Sequence, residues 1–156
     1  MWMTGHSLMK EKMRETGALI AGELSGHICI ADDYLGFDDA LYDACRFVRL
    51  VEQSGRPLSD VVDELPRYVS TPEIRIEIAE DRKFTVVAEA TEHFRGLYDV
   101  IDVDGVRIQF GDGWGLLRAS NTQPVLVARF EASTSERLAE IRGVVEDWLK
   151  TKGVDV

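Results

Sequence analysis

A chain of 156 residues holds one ordinary domain, or one small domain plus part of another. With 45% hydrophobic and 29% charged residues the composition is that of a globular chain and excludes a disordered one. The net charge of −10, with arginines scattered singly among carboxylates, excludes nucleic acid as a partner, although one loop can still be locally positive.

No apolar run approaches the roughly 18 residues of a membrane span. The opening Met1-Trp2-Met3-Thr4-Gly5-His6 lacks the regions of a secretory signal and reads as a strand cut from something longer. Cys29 and Cys45 form neither a disulfide framework nor a C-x-x-C pair, so reduced thiols in a cytoplasmic protein are expected.

Thr4 to Lys12 begins a short helix. Two short apolar runs follow, Gly17-Ala18-Leu19-Ile20-Ala21 and His27-Ile28-Cys29-Ile30, separated by a Gly-rich turn over 22–26. From Phe37 the apolar residues Leu41, Ala44, Val48 and Val51 keep helical spacing, with Asp38 and Asp39 in the first turn and a stop at Ser54-Gly55-Arg56-Pro57. Residues 57–71 read as a linker with a short helical piece, Ser59 to Leu65.

Beyond it the period changes. Ile74, Ile76 and Ile78 alternate with charged residues, as in a sheet with one wet face. Phe84, Val87, Thr91 and Phe94 predict a helix. Asp104-Gly105 between Tyr98–Val103 and Val106–Phe110 is a hairpin signal. Leu116–Arg118 and Val125–Phe130 are further strands, and Ser133-x-x-Glu136 reads as a capping box for a last helix with Leu138, Ile141, Val145 and Trp148 on its apolar face. Trp114 and Trp148 are expected in the core. The fold class is α+β: residues 72–156 form β-α-β-β-β-α around a mostly antiparallel four-stranded sheet with two helices. Residues 1–56 are an incomplete α/β segment, with self-association expected of its unpaired strand edges.

Two polar loops carry the chemistry. In Gly22-Glu23-Leu24-Ser25-Gly26-His27 a carboxylate, a hydroxyl and an imidazole project from one short arc, a mixture that suits the paired donors and acceptors of a sugar. In Arg118-Ala119-Ser120-Asn121-Thr122 a guanidinium fork is joined by neutral donors, which suits phosphate. Composition alone leaves the plainer alternative open for each, an ordinary solvated turn. Asp102-Val103-Asp104-Gly105 and Gly111-Asp112-Gly113 read as turns, so no metal ligand is assigned in this chain.

Together these loops resemble those of the α-D-phosphohexomutases, the phosphomannomutase/phosphoglucomutase family. The first is similar to the family's sugar-binding loop in its third domain. The second, continued by Gln123-Pro124-Val125-Leu126-Val127, is similar to the phosphate-binding loop of its fourth. Thr4-Gly5-His6-Ser7, Asp104-Gly105-Val106-Arg107 and Phe110-Gly111-Asp112-Gly113-Trp114-Gly115 extend the likeness over nearly the whole chain. Leu24 and Met3 depart from residues frequent in the family, methionine and lysine respectively. The resemblance implies that Glu23, Ser25, His27 and His6 face the sugar. Arg118, Ser120, Asn121 and Thr122 would hold the phosphate of a hexose phosphate, or inorganic phosphate.

It also implies what lies elsewhere. The family's phosphoserine and its Asp-Gly-Asp-Gly-Asp-Arg magnesium loop do not occur in this sequence. Catalytic groups and Mg2+ are therefore expected on N-terminal domains of the same enzyme, outside this chain. The expected role is that of a C-terminal part of such a mutase, inactive alone. The alternatives are a free-standing sugar-phosphate binding module without catalysis and a purely structural domain.

Overall fold

Glycine and aspartate punctuation sets the helices of the amino-terminal half. Helix α1 (His6–Thr16) ends where Gly17 enters the left-handed region at φ 68°. Strands β1 (Ile20–Gly22) and β2 (Ile28–Ile30) pair antiparallel, Gly22 facing Ile28. Helix α2 (Ala40–Ser54) starts at Asp39, whose carboxylate accepts from the Leu41 and Tyr42 amides at 3.1 Å each. Helix α3 (Leu58–Asp63) follows Pro57.

The computed structural model describes all 156 residues, which divide into two units, Met1–Pro66 and Arg67–Val156. In the first unit Met13, Cys29 and Ile30 are the only buried apolar side chains. Helix α2 buries none of its residues; Leu41 is 83% exposed and Val48 65%. Its apolar stripe exists as a pattern but is left in solvent.

The second unit builds a six-stranded sheet from β3 (Val69–Ser70), β4 (Ile74–Glu77), β5 (Asp99–Ile101), β6 (Val106–Gln109), β7 (Gly113–Ala119) and β8 (Val125–Ala132). The order is β3-β8-β7-β6-β5, every pairing is antiparallel, and β4 also lies on β8. The α+β class and the antiparallel sheet are as expected, but the strand count is six rather than four. The eight residues of β8 are long enough to take two short partners along one edge. Val69 and Ser70 pair with its end, and Ile74 to Glu77 with its start. Pro72 breaks the strand between them, since proline lacks an amide for the ladder. Thr71 bridges the gap: its amide donates to the Phe130 carbonyl and its hydroxyl accepts from the Phe130 amide.

Helices α4 (Lys83–Arg95) and α5 (Ser135–Thr151) cover one sheet face. Eighteen buried apolar side chains meet there, among them Val87, Phe94, Ile108, Leu117, Leu126, Phe130, Ile141 and Trp148. Large members of such a cluster each contribute about 1.5–3 kcal/mol by leaving water. Period-two alternation sends Arg107, Trp114, Arg118, Arg129 and Glu131 to the opposite face.

Three local expectations shift. Thr134, not Ser133, caps α5 through its hydroxyl to the Arg137 amide. The buried face of α4 is Lys83, Val86, Val87, Ala90 and Phe94, and Phe84 lies off that face, exposed. Trp148 is in the core. Trp114 is not, because its strand position faces away from the helices; its indole donates to Glu131 and the Arg107 guanidinium lies over its ring.

Candidate functional site

The turn between β1 and β2 is closed by the Glu23 amide on the His27 carbonyl and the Gly26 amide on the Glu23 carbonyl, both 2.9 Å. Gly26 takes φ 92°, a conformation that favours glycine. This folding turns the polar side chains toward the start of α1. Glu23 Oε1 accepts from the Gly5 amide at 2.8 Å, and its other oxygen accepts from the Ser25 hydroxyl at 3.3 Å. His6 opens α1, and its ring stands 4.9 Å from that of His27 at 60°.

Asp38 completes the group. A bridge between Cys29 and Asp38 holds it beside β2, where its carboxylate accepts from His27 Nδ1 at 2.6 Å and lies 3.7 Å from His6 Nε2. That bond fixes the His27 ring and leaves Nε2 as the nitrogen not held by Asp38. Beneath lies the buried Cys29 thiol, pushed up first by burial and then by the Asp38 charge. Sequence reasoning placed Asp38 only as a first-turn charge. The missed signal is the pair Asp38-Asp39, in which one carboxylate caps α2 and the other is left free for the site.

In the second unit the five-residue stretch 120–124 joins β7 to β8. Arg118 is placed on the sheet face away from the helices by its strand position. Its Nη1 lies 3.5 Å from Asp104 Oδ2, and its Nε is buried with no partner. A guanidinium so poorly satisfied has donors left for an anion. Gly105 sits against it with φ 77°, where a Cβ would overlap the Leu117 carbonyl oxygen and come 2.7 Å from Arg118 Cβ. Only glycine fits that turn.

Ser120 behaves differently from its neighbours. Its oxygen accepts from the Thr122 and Gln123 amides at 3.4 and 3.2 Å, so it shapes the loop from inside and keeps only its O–H to donate. Asn121 and Thr122 are exposed. Below them lies a residue that sequence reasoning missed. Lys83, wholly buried, donates to the Gln123 carbonyl at 3.1 Å and pairs with Glu80 at 2.6 Å. A lysine in the first turn of a helix, against the helix dipole, is the signal that was available.

The structure thus gathers His6, Glu23 and His27 with Asp38 in the first unit, with Ser25 bonded to Glu23. It sets Arg118, Ser120, Asn121 and Thr122 along one loop of the second.

Residues 1–68 match the family description phosphoglucomutase/phosphomannomutase, alpha/beta/alpha domain III, and residues 73–147 match the C-terminal domain of the same family. The chain belongs to the phosphoglucomutase/phosphomannomutase family. It is similar to a phosphomannomutase/phosphoglucomutase of Pseudomonas aeruginosa, at 47% identity over 96% of this chain and 33% of that protein. A Neisseria gonorrhoeae phosphoglucomutase is 45% identical over 89% of this chain and 31% of its own length. Among solved structures, a family member from Burkholderia thailandensis superposes with a TM-score of 0.82 at 39% identity, covering 97% of this chain and 32% of that one. The chain therefore spans about a third of the length of the curated relatives it matches. No helix is long and apolar enough to cross a membrane.

Proposed function

We propose that this chain supplies the substrate-holding segment of a cytoplasmic phosphohexomutase that interconverts hexose 6-phosphate and hexose 1-phosphate through a bisphosphate. Glu23, Ser25, His6 and His27 hydrogen-bond sugar hydroxyls, and Arg118, Ser120, Asn121 and Thr122 hold the phosphate that does not react. The observation that carries the reading is the Arg118 guanidinium, with a buried, unpartnered Nε beside a loop of neutral donors. A ligand that presents either end in successive steps needs adaptable contacts, which hydroxyls and a guanidinium supply.

Phosphoryl transfer needs a metal to neutralise developing charge. The one cluster of three candidate ligands in this chain, His6, Glu23 and His27, has two imidazoles, whereas magnesium takes oxygen donors. The residues present do not fit Mg2+, and the reading leaves that ion and the phosphoserine to the remaining domains of the enzyme. Partners follow from this: a hexose phosphate or inorganic phosphate, and those domains.

The test is a titration of the chain with glucose 6-phosphate followed by amide shifts, alongside a coupled mutase assay. Shifts at 118–122 with a millimolar dissociation constant, about −4 kcal/mol, and no turnover are expected. Arg118→Lys should weaken binding although the charge is kept, because an ammonium lacks the fork. Unchanged affinity in Arg118→Lys, or shifts confined to 22–27, overturns the assignment. So does turnover by the chain alone.

A further inference from the structure

The first unit brings together a donor set with a second use. One ligand atom each from His6, Glu23 and His27 lies within 4.8 Å of the others. A tetrahedral zinc with bonds of about 2.0–2.2 Å needs its donors roughly 3.4 Å apart, so a contraction of up to about 1.4 Å is required. His6, exposed at the start of α1, can turn toward the site, and the Glu23 carboxylate reaches it by giving up the longer of its two hydrogen bonds, the 3.3 Å one from the Ser25 hydroxyl, while keeping the 2.8 Å one from the Gly5 amide. His27 is already oriented: Asp38 takes its Nδ1, leaving Nε2 as the nitrogen for a metal. A carboxylate on the far nitrogen of an imidazole is the usual outer support of a metal-bound histidine, fixing the ring and raising its basicity. Two carboxylates against two imidazoles, in a chain of net charge −10, also make the spot attractive to a cation.

We infer that His6, Glu23 and His27 form a binding site for a borderline transition-metal cation such as Zn2+, with Asp38 as the outer carboxylate. Imidazole nitrogen with one carboxylate selects this class over magnesium or calcium, which prefer all-oxygen shells. Three protein ligands leave a fourth position for water. The same side chains are those assigned to sugar hydroxyls, so metal and sugar exclude one another. This last clause rests on the proposed function; the metal site itself does not.

The test uses the intact chain and zinc chloride. Calorimetry should give one site per chain, and the imidazole signals of His6 and His27 should shift while that of His93 stays. His6→Gln and His27→Gln should each abolish the isotherm while leaving the amide spectrum of residues 67–156 unchanged. Asp38→Asn should weaken binding about 10–100-fold, and Cys45→Ser should leave it unaltered. Zinc binding that survives the His6→Gln/His27→Gln double variant, or that disappears in Cys45→Ser, overturns the site. With free zinc held constant, glucose 6-phosphate should lower zinc occupancy. A phosphosugar that shifts residues 22–27 yet leaves occupancy unchanged overturns the exclusion. A phosphosugar that shifts neither loop sinks the proposed function while the zinc arms decide the metal site alone.

Discussion

The two units spend their apolar residues differently. The second places eighteen of them in one core between a sheet and two helices. The first buries three and leaves Leu19, Ile20, Leu35, Leu41, Phe47, Val48 and Leu50 in solvent. Periodicity is as clear in α2 as in α5, so periodicity records which face of a helix is apolar, not whether anything covers it. Site precision follows the same divide. The Arg118 loop hangs between two long, paired strands, whereas the Glu23 turn joins strands of three residues each.

The largest effect expected from this contrast is on stability. Phe94→Ala removes a fully buried ring that packs on Trp148 and should cost about 3–5 kcal/mol. Urea unfolding followed by Trp148 fluorescence measures it, and hydrogen exchange in residues 1–66 should stay unchanged. Loss of protection across both units together would break the comparison. Next comes Lys83→Met, which keeps the buried stem but removes the hydrogen bond to the Gln123 carbonyl. Phosphate affinity at the Arg118 loop should fall about tenfold, or about 1.4 kcal/mol. Lys83→Arg serves as the folding control, and phosphate titration followed at the Asn121 and Thr122 amides reads the change.

Much of this was legible beforehand, and the reasons it was are uneven. Alternation found β4 because a sheet with one covered face imposes period two, and the Asp104-Gly105 turn signal found the hairpin that contains β6. The Gly22–His27 and Arg118–Thr122 segments stood out because their donors are contiguous in sequence. Asp38 and Lys83 did not, since each reaches its partner across the fold, eleven and forty residues away. Strand β3 was illegible because two residues beside Pro72 carry no pattern; its existence depends on a free length of β8.

Acid should sharpen the comparison further. The Asp39 carboxyl is held below the usual range, chiefly by the hydrogen bond from the Tyr34 hydroxyl and then by the Tyr42 amide. A lowered folded-state value stabilises fully above the usual Asp value of about 3.9. That contribution is lost as pH falls through the lower folded value. Protection of the Leu41 and Tyr42 amides, relative to their intrinsic exchange rate at each pH, should fall on acidification into that window, and Asp39→Asn, which keeps a capping oxygen, should flatten that dependence. The smallest effect is expected from Leu41→Ser on the uncovered stripe of α2, within about 0.5 kcal/mol in a thermal or urea melt. A loss of several kcal/mol there would show that the stripe is covered in solution.

The Asp104-Gly105 turn ties hairpin length to the setting of Arg118. Its backbone rests on Leu117 and Arg118, and its aspartate is the nearest counter-charge to the guanidinium. A residue inserted between β5 and β6 should leave β6 in place, because β6 is registered on β7 and β7 on β8. It would nonetheless lift the turn off Arg118 and move its counter-ion. If Arg118 holds phosphate as proposed, lengthening this loop should change anion affinity with residues 118–122 left as they are.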